Sequence, residues 1–205
     1  MKKLSFLASL VFLCLPLAVS AQEVAPKVEI FGGYSFLRVD LGAIPADVVP
    51  SGGALGKLDT HGFSMSIAGN PARHFGIISE FSQYTKSETF NVLGSPIAAG
   101  VNVKFRVLTL LFGPRVTLHR GKVEPFVHGL FGAARATAEA PDFGVSAGDA
   151  AYAFAYALGG GVDVKVHNNF AIRLGQVDYL GARAGGEGLN NFRYSVGVVI
   201  RLGNR

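Results

Sequence analysis

Between residues 191 and 202 hydrophobic and polar positions alternate with a period of two. Phe192, Tyr194, Val196, Val198, Ile200 and Leu202 share one parity, while Arg193, Ser195, Gly197, Val199 and Arg201 share the other. Successive side chains of an extended strand point to opposite faces, so the segment predicts a strand with arginines on one side and aromatic and aliphatic groups on the other. Residues 27–38 repeat the design, with Val28, Ile30, Tyr34 and Phe36 against Glu29, Gly33 and Ser35. Residues 58–69 set Phe63, Met65 and Ile67 against Ser64, Ser66 and Ala68. Residues 150–166 set Phe154, Tyr156, Leu158, Val162 and Val164 against Gly159, Gly161, Asp163 and Lys165.

Four further segments carry the pattern with less contrast. Residues 74–86 place Phe75, Ile77 and Phe81 opposite Glu80 and Ser82, and residues 123–137 place Val127 and Phe131 opposite Glu124, His128 and Gly132. In residues 102–118, Lys104 and Arg115 have opposite parity, so both face inward only if a bulge intervenes. Residues 170–182 show the same conflict between Arg173 and the pair Gln176 and Asp178. Gly175 between them suits a β-bulge.

The connections predict the topology. Those near 70–73, 119–122 and 167–169 are short and of turn composition, whereas those spanning about 39–57, 87–101, 138–149 and 183–190 are longer and rich in Gly, Ala, Ser and Pro. Eight antiparallel strands with alternating long and short connections put both termini at the short-turn end. Strands of roughly 11 residues, at ~3.3 Å each and tilted about 40°, rise roughly 28 Å, close to the ~25 Å apolar band of membrane barrels. The expected fold is all-β, an eight-stranded antiparallel up-and-down transmembrane β-barrel.

Composition sharpens this picture. The first residues read as a basic pair, Lys2 and Lys3, an apolar run to Val19 and a small-residue end at Ala21, which is the pattern of a cleaved secretory signal. The expected division is therefore 1–21 as signal peptide and 22–205 as barrel. Cys14 is the only cysteine and falls in the signal, so the remainder can hold neither a disulfide nor a thiolate metal site. Mean hydropathy is positive, at +0.35, and the chain has 27 glycines and 16 phenylalanines but no stretch of 18 uncharged apolar residues. A barrel that shows its apolar face to lipid needs such a composition. Of the net charge of +5, Lys2 and Lys3 contribute two, and the remaining three are too scattered to suggest nucleic acid.

The chain resembles the outer-membrane-protein-A-like β-barrel family of Gram-negative-type envelopes. The resemblance rests on the signal peptide, the opening Val28-Glu29-Ile30-Phe31-Gly32-Gly33-Tyr34-Ser35, the segment Phe112-Gly113-Pro114-Arg115, the run Gly159-Gly160-Gly161-Val162-Asp163 and the alternating last strand. It implies residence in the outer membrane after signal cleavage, with membrane lipid and the export and barrel-assembly machinery as partners and extracellular ligands reached through the long loops. Two departures stand out. Such barrels usually end on an aromatic residue, whereas this sequence ends Leu202-Gly203-Asn204-Arg205, and no peptidoglycan-binding domain follows the barrel.

The candidate chemistry lies on the inward parity: Glu29, Glu80, Arg115, Glu124, His128, Asp163, Lys165, Arg173, Arg193 and Arg201. An eight-stranded barrel is only just wide enough for side chains to fill it, and charges confined there persist when paired. An ion-paired plug is therefore expected, with Glu29 and Arg201 as its leading pair. No cofactor, metal or catalytic set is expected. His61 and Ser64 are three apart on a strand and face opposite ways, and the five histidines lack ligand spacing. The expected role is a structural or interaction barrel of the envelope. The alternatives are a narrow porin for small solutes and a soluble periplasmic ligand-binding barrel, the latter disfavoured because the inward residues read as Gly, Ser, Ala, Glu and Arg.

Overall fold

The computed structural model describes residues 25–40, 57–91, 100–119, 121–139, 151–184 and 187–204; the expected signal segment, 1–21, lies outside them. Eight strands follow in order: β1 (Pro26–Asp40), β2 (Lys57–Gly69), β3 (Phe75–Asn91), β4 (Gly100–Thr117), β5 (Val123–Glu139), β6 (Ala151–His167), β7 (Phe170–Ala184) and β8 (Glu187–Asn204). Each pairs antiparallel with its successor, and β1 pairs antiparallel with β8. The sheet is a closed barrel without a free edge, which removes the unpaired backbone groups an open sheet would expose.

Closure sets Phe31 opposite Val199 and Tyr34 opposite Val196. The strands run from 13 to 18 residues, longer than the roughly 11 that suffice to cross a membrane. Their extra length falls at the end away from the termini, called here the loop end; the opposite, terminal end carries the short turns. One connection departs from the expected alternation. Only residues 185–186 separate β7 from β8, so the span 183–190 is not a long loop. The two residues are Gly185-Gly186, a dipeptide suited to a tight hairpin, and the polar residues around them belong to strand ends.

The two parity conflicts resolve differently. The β3–β4 register is unbroken from Phe75 opposite Val116 to Asn91 opposite Gly100, so Arg115 faces inward and Lys104 outward, exposed at the loop end. In β7 the register does shift, between Arg173 and Gln176 against β8 and between Val162 and Asp163 against β6. The extra residue at Leu174-Gly175 lets Arg173, Gln176 and Asp178 all point inward.

Candidate functional site: the barrel lumen

Inward side chains fill the barrel. Near the terminal end, four strands converge on Glu29: Arg201 from β8 is its register partner, with Nε 3.2 Å from Glu29 Oε1. Arg115 from β4 contacts the other Glu29 oxygen, and Arg201 also bonds Glu124 from β5. The Glu29 oxygens make these close ion contacts without well-directed hydrogen bonds. All four groups are buried, so each charge depends on its neighbours and not on water.

Arg173 forms the next step. Its Nε and Nη2 grip both oxygens of Asp163, at 2.8 and 3.0 Å, and its Nη1 donates to Gln176 Oε1 at 2.7 Å. Phe31 and Phe126 cover the guanidinium, with ring centroids 4.2 and 4.3 Å from its central carbon. The Phe126 ring also lies 5.6 Å from Arg115, linking the two groups of charges. A planar cation between aromatic faces, with a bidentate carboxylate at its edge, is a site that arginine fills and lysine does not.

Gln176 carries the network onward. Its amide donates to Glu80 Oε2 at 3.2 Å and to Asp178 Oδ2 at 2.7 Å. Arg193 Nε donates to Asp178 Oδ2 at 2.8 Å and its Nη1 to Ser82 at 3.2 Å, while the same Nη1 pairs with Glu80. His128 Nε2 lies 2.8 Å from Asp178 Oδ1. Beyond this, Ser35 bonds Tyr84 and Ser195, both at 2.9 Å. The buried carboxylates Glu29, Glu80, Glu124, Asp163 and Asp178 thus face the buried guanidiniums Arg115, Arg173, Arg193 and Arg201 in near balance.

Of the residues expected in this network, Lys165 differs. It is half-buried two residues before the end of β6, at the terminal rim, where water can reach it. Sequence reasoning passed over Asp178 and Gln176 as network members, although they are its centre. The reading of the inward face as only small and charged residues is also corrected. Leu37, Ile78, Tyr84, Leu111, Leu130, Ala155, Ala157 and Leu180 form a buried apolar cluster in the lumen, and Phe31, Ala171 and Val199 a second. Their parity matches that of Glu29, Glu80 and Glu124, a signal the overall apolar character of these strands concealed.

The glycines of β6 make room for this packing. A Cβ on Gly159 would stand 2.0 Å from Asp178 Oδ1, and one on Gly161 would stand 2.8 Å from Phe126 Cζ. The Gly159-Gly160-Gly161 run is therefore a clearance for two lumen groups. His61 and Ser64 lie on opposite faces, the first exposed and the second buried.

The outer wall is apolar. Met65, Phe81 and Leu110 are register neighbours across β2, β3 and β4, and all are exposed. Ile67, Leu110 and Leu158 are 58–60 % exposed, and Phe63, Phe154, Val198 and Ile200 also face outward. Val28, Ile30, Val162 and Val196 share that outward parity and are half-buried by neighbouring side chains.

This combination of a closed eight-strand barrel, filled inside and apolar outside, can be compared with solved structures. Ail, the attachment invasion locus protein of Yersinia pestis, solved in complex with the heparin analogue sucrose octasulfate, superposes with a TM-score of 0.55 at 18 % identity, over 86 % of this chain and 99 % of Ail. Neisserial surface protein A superposes with a TM-score of 0.53 at 11 % identity, over 88 % of this chain and all of the other. The chain has the fold of the small outer-membrane β-barrels. No family model matches it, and no curated protein matches it in sequence.

Proposed function

We propose that this chain resides in the outer membrane of a Gram-negative-type envelope, exported by residues 1–21, as a barrel with a structural or interaction role whose lumen is sealed by its ion-pair network. The observation that carries the reading is the inversion of the usual order: arginines and carboxylates are buried in a mutually paired cluster while a continuous belt of Phe, Leu, Ile and Val faces outward. Water would not tolerate so large an exposed apolar surface, whereas lipid requires it. Chain export and assembly into the membrane imply the corresponding machinery as partners. The loops, which lie outside the described residues, are the surface on which an interaction with extracellular ligands rests.

Spin labels at Ile67→Cys and Leu158→Cys in the refolded protein test the membrane assignment. In lipid vesicles both nitroxides are expected to collide more with oxygen than with a water-soluble nickel chelate. Preferential collision with nickel would reject it.

A further inference from the structure

Positive charge on the outer wall is unevenly matched. At the loop end of β1 and β2, Arg38 and Asp59 form an exposed pair, with Nε and Nη2 2.7 and 3.0 Å from the two carboxylate oxygens. Across β4 to β7 that balance is lost. Arg106, Arg135 and Arg183 are exposed and share the outward parity of Leu110, Phe131 and Val177. The acids of those four strands are Glu124, Asp163 and Asp178, all buried in the lumen, and Glu139, whose register partner is Lys104. No register neighbour of the three arginines is acidic: Thr85 and Thr137 flank Arg106, Leu108 and Tyr152 flank Arg135, and Phe154 and Gly188 flank Arg183. The Arg135 guanidinium lies 5.6 Å from the centre of the exposed Tyr152 ring, a cation–π contact that leaves its charge unneutralised.

The three arginines also stand at one level. Arg106 is twelve residues from exposed Leu118, and Arg135 is twelve from exposed Val123. Arg183 is thirteen from exposed Phe170, one of them the extra residue of the bulge. Twelve steps of ~3.3 Å, tilted about 40°, rise roughly 30 Å and so clear the ~25 Å apolar band. At that height a bilayer presents its headgroups, and arginine grips a phosphate with two parallel hydrogen bonds while its stem lies along apolar surface.

Their lateral spacing narrows the ligand. Because Arg135 pairs with Leu108, Arg106 is its diagonal neighbour, with Cα atoms about 7–8 Å apart. Arg183 stands beyond β6. Arg135 pairs with Tyr152 and Arg183 with Phe154, so two strand spacings and two residue steps separate the arginines, roughly 12 Å. Between them Tyr152 and Phe154 present exposed rings in place of charge. A headgroup with two phosphates on a sugar spacer engages both positions without drawing either side chain across those rings.

We propose that the outward face of β4 to β7 at the loop end binds a bis-phosphorylated glycolipid of the adjoining leaflet. Arg106 and Arg135 take one phosphate, Arg183 takes the other, and the sugar lies over Tyr152 and Phe154. The proposal rests on the membrane-spanning reading. An acidic protein fits less well, because the arginines continue the apolar belt and face the side from which lipid approaches.

Native mass spectrometry of the folded protein tests this, in detergent micelles supplied with diphosphoryl lipid A, monophosphoryl lipid A, phosphatidylglycerol or phosphatidylcholine. The wild type is expected to retain the diphosphoryl glycolipid several-fold more than each of the others. The triple variant Arg106→Gln, Arg135→Gln and Arg183→Gln, folded by its migration on an unheated gel, should lose that excess, and the corresponding triple lysine variant should recover part of it. The double variant Arg38→Gln and Asp59→Asn, which removes a matched pair at the same end, should keep it. Equal retention of all four lipids by the wild type overturns the proposal, as does phosphatidylglycerol held as strongly as the diphosphoryl glycolipid. So does an undiminished preference in the triple glutamine variant. If the folded protein retains none of the four lipids, the membrane reading itself fails, a result distinct from retention without preference.

Discussion

Glu29 and Arg201 face each other across the seam that closes the barrel, register partners on β1 and β8 with 3.2 Å between Oε1 and Nε. Arg115 holds the same carboxylate from β4, so one glutamate balances two guanidiniums. Glu29→Ala would leave both arginines buried, with Glu124 as the remaining acid in contact with Arg201. Removing one member of a buried pair costs about 3–5 kcal/mol. Urea titration of the refolded protein is expected to show a loss of that size, whereas Asp59→Asn, which breaks the solvent-exposed pair with Arg38 at the loop end, should leave the midpoint unchanged.

Arg173 joins the two halves of the network, and its site demands a planar cation. Arg173→Lys keeps the charge but loses the bidentate grip on Asp163 and the stacking between Phe31 and Phe126. The expected cost is about 2 kcal/mol, the scale of a desolvated cation–π contact. A lysine variant as stable as the wild type would show that the charge alone matters.

Gly159 and Asp178 define the tightest clearance in the network. Gly159→Ala puts a methyl group where Asp178 Oδ1 and the Val177 carbonyl already stand, 2.0 and 2.4 Å away. The strand must shift, and overpacking of this kind costs about 1–3 kcal/mol. Gly32→Ala is the control, because nothing lies within 4 Å of its Cβ position. The fraction that migrates as folded barrel on an unheated gel should fall for the first variant and not for the second.

Much of this architecture is legible in the order of residues alone. In β8 each arginine is flanked by aromatic or branched residues of the other parity, so its inward face and its meeting with Glu29 on β1 follow from the period of two. Asp178 and Gln176 were hidden because a single extra residue at Leu174-Gly175 inverts the parity, and a bulge's position depends on pairing with both neighbours. Phe31, Leu37 and Leu130 were hidden for another reason. A barrel whose outside is apolar supplies no contrast against apolar residues inside. Lys104 misled in the opposite sense, since beyond the lipid-facing belt an outward position can be polar.

His119 gives the pH response a definite sign. Its folded value of about 4 lies below the ordinary 6.5, with burial as the main cause and the positive charges of Arg201, His74, Arg115 and Arg73 adding to it. Between those values the unfolded chain binds the extra proton, so this group opposes folding progressively as pH falls through that window and has no effect above it. His119→Gln cannot take the proton. Urea midpoints at pH 7.5 and 4.5 should therefore differ less for the variant than for the wild type, and an equal difference would show that the imidazole does not titrate in this way.

Single-channel recording of the refolded wild-type protein in planar bilayers bears most directly on the sealed lumen. With Arg173, Gln176, Asp178, Arg193 and Glu80 bonded across the interior and the Leu37 cluster beside them, no steady ohmic current is expected after insertion. A stable open conductance in the wild type, proportional to voltage and to salt concentration, would contradict the plug and make the chain a small porin.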